Sequence, residues 1–317
     1  LVSAGFNLNT SYRFSPEVQF DANLSYNKVK SPNYPRYGYG PRNYIYTLLL
    51  WMGNDVNGQD LKANLYIPGQ EGYRQANYNY AWFNNPYFMA NELNQGYDQD
   101  ILYGQTALTW RITPDLTLKG RIAVRQKSLF EDIRIPKSYI DYEESRNGDY
   151  KMWNTKQLNF DADALATYTK EFHNLFGLTV NVGTSTFQRD FNSYNQSTDG
   201  LIVPFIYNLG NTQGPVKADN NNATKVIRSA YGSVNFSLFK STFLNFSGRN
   251  DWSSTLSKLN QSFFYPSVSL SVIVSDYLNL PAQIDYLKLY SSWASVSSDL
   301  DPYSLVSTYK KDLTYGA

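Results

Sequence analysis

The sequence contains no cysteine. That excludes a disulfide frame, a thiolate nucleophile and a zinc–cysteine cluster. It contains one histidine, His173, so His-rich metal sites are excluded and one imidazole remains for any acid–base role. Charge is scarce, at 17% of residues against ~25% in an average chain. It also cancels: 28 Lys and Arg stand against 27 Asp and Glu, for a net charge of +1. No global basic field for nucleic acid results. Long hydrophobic runs are missing too. The longest nearly apolar stretch, Ile45 to Met52, falls far short of the ~20 residues of a membrane helix. A membrane β-barrel is not excluded, because alternating strands average out to a polar chain, and the mean hydropathy here is −0.47. What the chain has in plenty is aromatic side chains, with 28 Tyr, 18 Phe and 6 Trp. That content excludes a disordered chain.

The apolar residues recur with a period of two. From Phe6 to Phe14 apolar or semi-apolar groups fall on even numbers and polar ones on odd numbers. From Val18 to Tyr26 the even positions are Val, Phe, Ala, Leu and Tyr, and the odd ones are Gln, Asp, Asn and Ser. This is the mark of a strand with two different faces. The unit returns at Leu102–Ile112 and Leu116–Val124. The joining turns match, with Arg13-Phe14-Ser15-Pro16-Glu17-Val18 set against Arg111-Ile112-Thr113-Pro114-Asp115-Leu116. Three more hairpins follow, at Leu158–Thr184, Ala230–Gly248 and Val268–Trp293. Ten strands are readable, and Tyr303 to Tyr309 offers an eleventh.

The connections alternate in length. Short turns within hairpins give way to long links at Lys28–Asp100, Ser128–Lys156 and Gln188–Thr224. Such links are unusual in a compact soluble domain. Short turns at one end and long loops at the other fit an outer-membrane barrel. Phe14, Trp110 and Tyr168 lie near the short-turn ends, as an aromatic girdle requires. A soluble β-sandwich also alternates, but with more even loops and apolar inward faces. The expected fold is therefore all-β: an antiparallel transmembrane β-barrel segment over residues 1–317. Leu1 is not Met and runs straight into a strand, so the chain reads as part of a longer protein.

Two stretches go beyond pattern. One is Asn85-Pro86-Tyr87-Phe88-Met89-Ala90-Asn91-Glu92. The other runs Arg249-Asn250-Asp251-Trp252-Ser253-Ser254, then Phe264-Tyr265-Pro266-Ser267-Val268-Ser269, then Tyr286-Leu287-Lys288-Leu289-Tyr290-Ser291-Ser292-Trp293. Together these resemble the mid-barrel of the SusC/RagA family of TonB-dependent transporters, whose pattern is Arg-x-Asp-x-Ser-Ser, Phe-Pro-Ser-x-Ser and Leu-Lys-x-Arg-x-Ser-Tyr-Gly. His173-Asn174-Leu175 and Gly177 also resemble a family hairpin. The likeness covers about Asn77 to Tyr303. The chain departs from it at Tyr265 for Phe, Tyr290 for Arg and Trp293-Ala294 for Tyr-Gly. The resemblance implies an outer-membrane importer of glycans or peptides. Its barrel has roughly 22 strands and is closed by an N-terminal plug that lies outside this chain. It implies a SusD-like surface lipoprotein as partner, a TonB complex reached through the missing N-terminal part, and contact with outer-membrane lipid. It implies no enzyme activity and no cofactor. A different outer-membrane barrel such as a porin, or a soluble aromatic-rich glycan-binding protein, are the alternatives.

The segment Gly72–Tyr87 interleaves aromatics with amides. Aromatic faces stack on sugars or on peptide side chains, and Asn and Gln bond hydroxyls or amides. Tyr73, Tyr78, Tyr80, Trp82, Asn85 and Tyr87 are the substrate-binding candidates, against the plainer reading of a loop packed on itself. Asp161 and Asp163 lie two apart on a polar strand face, as do Arg249 and Asp251. Asp161 and Asp163 read as solvated lumen carboxylates, and Arg249 and Asp251 as lumen groups paired with neighbours across the lumen. Asn54–Asp60 has the spacing of a plain turn, because its Gly and closing Glu do not fit a calcium loop. His173 has no Cys or Ser partner in view, so no catalytic residue and no metal site are expected.

Overall fold

The computed structural model describes residues 1–34, 38–40, 43–141, 146–172, 175–281 and 283–307. His173, Asn174, Thr308 and Tyr309 lie outside the described residues. Ten strands follow one another: β1 (Val2–Arg13), β2 (Val18–Ser31), β3 (Asn94–Arg111), β4 (Leu116–Ile135), β5 (Asp149–Phe172), β6 (Phe176–Ser197), β7 (Lys217–Leu238), β8 (Thr242–Ser253), β9 (Ser262–Ile273) and β10 (Lys288–Ala294). Each pairs antiparallel with the next in a single 10-stranded sheet, a pure meander. Among the described residues the sheet is not closed, and β1 and β10 are its edges. The described part of the eleventh candidate, Tyr303–Ser307, is turn and not strand. Its Pro302 and the left-handed Tyr303 (φ 66°) do not suit an extended ladder.

Registers convert the sequence alternation into two continuous faces. Phe6 stands opposite Tyr26, Leu24 opposite Gly104, Leu108 opposite Gly120 and Val182 opposite Gly232. Even numbers meet even numbers from β1 to β9. The link before β10 moves the count by one, so Leu289 and Trp293 join the same face opposite Val272 and Val268. A slip of one residue would exchange the faces, so the strong alternation holds the register.

The matched turns in the sequence are matched in structure. Phe14 N–H donates to the Val18 carbonyl at 2.9 Å, and Ile112 N–H donates to the Leu116 carbonyl at 2.9 Å. Ser15 Oγ accepts from Val18 N–H at 3.2 Å, as Thr113 Oγ1 accepts from Leu116 N–H at 3.0 Å. In both hairpins the N–H is thus shared between the hydroxyl and the carbonyl of the residue at the turn's start, Ser15 or Thr113.

The long links are shorter than the alternation implies, because the strands continue past their apolar stretches. β5 runs for 24 residues and β6 for 22. The remaining segments, 32–93, 136–148 and 198–216, meet at the end away from the short turns. The first carries three short helices: α1 (Tyr44–Leu50), α2 (Gly58–Ala63) and α3 (Pro86–Glu92). The Asn54–Asp60 stretch leads into α2, whose first turn is capped by the Asn57 side chain on Gln59 N–H at 3.0 Å. Helices of 6 or 7 residues do not persist alone in water. They are held by packing. Phe88, Met89 and Leu93 cluster with Ile133, Ile135 and Tyr139, flanked by Tyr44, Tyr66 and Trp153. Ile133, Ile135 and Trp153 belong to the odd-numbered face, which is polar lower down. The helical cap therefore folds over the polar side of the sheet.

Candidate functional site

The cap is organised around buried amides. Gln75, Asn84 and Asn85 have no exposed surface. The Gln75 Nε2 donates to Asn84 Oδ1 at 2.8 Å and to the Ser138 carbonyl at 2.6 Å. Asn84 Nδ2 donates to the Ile140 carbonyl at 2.8 Å, while its Oδ1 accepts from Ile140 N–H at 2.7 Å. Asn85 Nδ2 donates to the carbonyls of Leu61 at 3.0 Å and Ala76 at 2.9 Å. Its Oδ1 accepts from Tyr87 N–H at 2.9 Å and Phe88 N–H at 3.4 Å. Asn85 is thus the N-cap of α3, with Pro86 at the first helical position. The network ties segment 136–141 to segment 75–85 and satisfies backbone groups that no ladder reaches.

The six expected substrate contacts divide by position. Tyr73, Tyr80 and Trp82 are exposed, at 61%, 42% and 53%. Tyr78 and Tyr87 are half-buried. Asn85 is fully buried, so it holds the loop from within and does not face a solute. Burial raises the Tyr78 hydroxyl's pKa, and that oxygen has no hydrogen-bond partner. Two cations stand over exposed rings: Lys137 Nζ lies 4.6 Å from the Tyr73 ring and the Arg74 guanidinium 5.4 Å from Tyr80. Trp51 stacks on Phe83 at 5.1 Å, which extends the aromatic surface. Deeper in the cap, burial and then the nearby Glu92 lift the Tyr207 hydroxyl to about 12.

Sequence reasoning missed Gln75, Asn84, Arg74, Lys137 and Trp51. For the structural role of Asn85, named above as a substrate contact, a signal existed. Asn followed by Pro, ahead of Tyr-Phe-Met-Ala, is the start of a helix, and it assigns Asn85 to capping.

Below the cap, the odd-numbered face is a hydrogen-bonded polar surface. Asn23 Nδ2 donates to Asn7 at 2.8 Å and to Asn9 at 2.5 Å. Thr167 Oγ1 donates to Asn181 at 2.8 Å, and Asn181 donates to Ser233 at 3.1 Å. Asn245 donates to Asn235, and the hydroxyls of Ser247 and Ser267 meet at 2.6 Å. Asp163 is not solvated alone, since Arg121 Nε donates to it at 2.6 Å, and Asp161 lies one position along the same face. Arg249 and Asp251 do not reach across the lumen. They bind each other at 2.7 Å, and Arg249 also donates to Ser229 of β7 at 2.7 Å while lying 5.6 Å from the Tyr231 ring. Two positions apart on one face is the right spacing for that contact, so the nearer partner wins.

The tail of the chain returns to this face. Asp299 accepts from Lys225 Nζ at 2.7 Å and from Ser253 Oγ at 2.8 Å. Burial raises its carboxyl, but the Lys225 and Ser253 bonds outweigh that and hold it below the usual carboxylate range. No cluster of three or more metal-ligating side chains occurs among the described residues. The arrangement presents a polar, hydrogen-bonded sheet face below an aromatic loop surface.

No family model matches the chain, and no curated protein matches it. Solved structures do. A structure of the RagAB peptide transporter superposes with a TM-score of 0.70 at 17% identity, covering 98% of this chain and 35% of that one. The RagAB peptide importer in its closed-closed state gives 0.69 at 17% identity, covering 95% and 33%. The ferripyoverdine receptor of the Pseudomonas aeruginosa outer membrane gives 0.51 at 11% identity, covering 85% and 33%. These proteins are named as transporters and receptors, not enzymes. The chain spans about a third of their length. It has the fold of a ten-stranded stretch of the barrel wall of these importers and receptors.

Proposed function

We propose that this chain is the mid-barrel part of an outer-membrane, TonB-dependent importer. Its cargo is an oligomeric polar solute, a peptide or a glycan. One observation carries the reading: an in-register sheet whose even face is apolar and whose odd face is a polar hydrogen-bonded wall, in a RagA-like fold. A wall of this kind separates lipid from a wet lumen. The exposed Tyr73, Tyr80 and Trp82 form the cargo surface at the mouth. Aromatic rings stack on prolyl, aliphatic or sugar C–H surfaces without requiring charge. The missing strands close the barrel on the free edges of β1 and β10, which would otherwise be sticky. The RagAB likeness and the resemblance in the sequence support a SusD-like lipoprotein lid over the mouth. They also support a plug and TonB contact elsewhere in the protein.

Fractionation of cells making the full-length protein, followed by uptake of labelled oligopeptides and oligosaccharides, tests this. The expected result is an outer-membrane protein whose deletion abolishes uptake of one class. A protein found soluble in the periplasm, without a lipoprotein partner, sinks the proposal.

A further inference from the structure

The even-numbered face is not uniformly bulky. One register row passes through Gly120, Ala164, Thr184 and Ala230. The next runs from Ile122 through Ala162 and Thr186 to Arg228, with Trp252 beyond it. These small side chains leave a groove of about 580 Å³ between Phe20 and Leu108 at one end and Arg228 at the other. A Cβ placed on Gly120 would meet nothing within 4 Å, so the groove floor is open.

Arg228 is exposed, and it makes no hydrogen bond or ion pair with any described residue. Its cross-strand neighbours, Thr186 and Trp252, are uncharged. The one carboxylate among the described residues lining the groove, Asp163, belongs to the opposite face and is held by Arg121. Arg228 sits ten positions along β7 from Leu238 at the short-turn end. That is about 33 Å along the strand, and about 25 Å of height at a tilt of ~40°. The apolar band of such a barrel is ~25 Å tall, so Arg228 stands at its loop-side rim. A charged side chain facing lipid is tolerated there, and a guanidinium grips phosphate with two parallel N–H bonds.

We propose that this groove is a binding site for a phosphate-bearing lipid of the loop-side leaflet. One acyl chain lies along the small-residue rows and the headgroup phosphate sits on Arg228. The proposal rests on the barrel reading that turns the even face towards lipid. The apolar groove fits the chain, and an unanswered cation at its rim fits the anion.

The test uses the full-length protein, extracted in mild detergent and offered monophosphoryl lipid A or diacylglycerol, which carries no phosphate, with retained lipid counted by native mass spectrometry. Wild type is expected to retain lipid A at least fivefold more than diacylglycerol. Arg228→Gln is expected to bring lipid A down to the diacylglycerol level, and Ala164→Phe to lower both by filling the groove. Equal retention of the two lipids by wild type, or unchanged lipid A on Arg228→Gln, overturns the proposal. So does a dimer that Ala164→Phe splits without changing lipid, because the occupant is then a second copy. Fractionation of the same cells separates the failures. An outer-membrane protein with an indifferent Arg228 loses only the lipid site, whereas a soluble protein loses the barrel reading too.

Discussion

The lower wall and the cap solve the same problem in opposite ways. In the wall, from the short turns to about Leu102 on β3 and Leu158 on β5, the strands satisfy one another's backbone, and side chains add bonds to it chiefly at the turns, as Ser15 and Thr113 do. Its polar residues can then line a face as a surface for solute. In the cap, between 43 and 93, short helices and turns leave backbone groups without ladder partners. There Gln75, Asn84 and Asn85 are taken out of solvent to serve them. Amides that look alike in the sequence are surface in one region and core in the other. The same chemistry has different energetic weight by region, because an unmet buried group costs far more than an exposed bond returns.

Asn84→Leu tests this contrast most strongly. It strands the Gln75 amide and both backbone groups of Ile140. The expected local loss is roughly 4 kcal/mol, since each unmet buried group costs ~1–3 kcal/mol. Hydrogen exchange should rise by orders of magnitude at 136–141 while the β3–β6 ladder stays protected. Equal protection in both regions would erase the distinction between cap and wall.

Gly148 marks the point where the cap rejoins β5. Its φ is +88°, and a Cβ there would lie 2.6 Å from the Ile135 carbonyl oxygen. Gly148→Ala should cost about 2–3 kcal/mol locally, from left-handed strain plus a backbone clash. Limited proteolysis of 136–148 reads it. Gly120→Ala, on the open wall, should change nothing measurable.

The Asp299 tether joins a loop to the wall. Lys225 and Asp299 are only 13% and 16% exposed, so Lys225→Met should loosen segment 295–307 by about 1–2 kcal/mol. The folded carboxyl lies below its ordinary 3.8. Its contribution is therefore fully present above pH 3.8, and it is lost as pH falls through the lower folded value. Pepsin cleavage between 295 and 307 should appear only in strong acid for the wild type. In Lys225→Met it should begin at higher pH. Identical profiles would remove the tether.

Trp82→Ala leaves the buried amides untouched. If the proposed cargo surface is right, it should weaken binding of an oligopeptide or oligosaccharide roughly fivefold, about 1 kcal/mol for one aromatic contact, without altering cap protection. Calorimetry with oligopeptides and oligosaccharides, alongside exchange, separates the two effects. The smallest change is Arg121→Gln in the wall. Arg121 is 45% exposed, so its pair with Asp163 should be worth under ~1 kcal/mol. A larger loss of thermal stability would mean that wall polar groups carry weight like those of the cap.

Much of the wall was legible. The Ser15 and Thr113 turns, the five hairpins and the face assignment of Leu289 and Trp293 all follow from alternation and turn chemistry. The strand ends were not, because above about Ser128 and Lys156 the alternation changes sign. Ile133 and Ile135 are apolar on the odd face, against Asp132 and Arg134 on the even one. A reader expecting one apolar face takes such residues for loop. The candidate contacts were legible as a pattern but their burial was not. Tyr73, Tyr80 and Trp82 are exposed, whereas Asn85 is buried because its amide caps the helix that begins at Pro86. Arg249 and Asp251 were placed on the right face but given distant partners.

The sequence by itself determined the ten strands, their order and which side of each is apolar, because side-chain period and turn residues are local. It also determined that no thiol chemistry or helical span is present. Only the tertiary structure decided which amides are buried, that the cap lies over the polar face, and that Asp299 returns to Lys225. It alone aligned Gly120, Ala164 and Thr184 into a groove ending at Arg228. These depend on which residues meet across long loops and neighbouring registers, and no local periodicity records that.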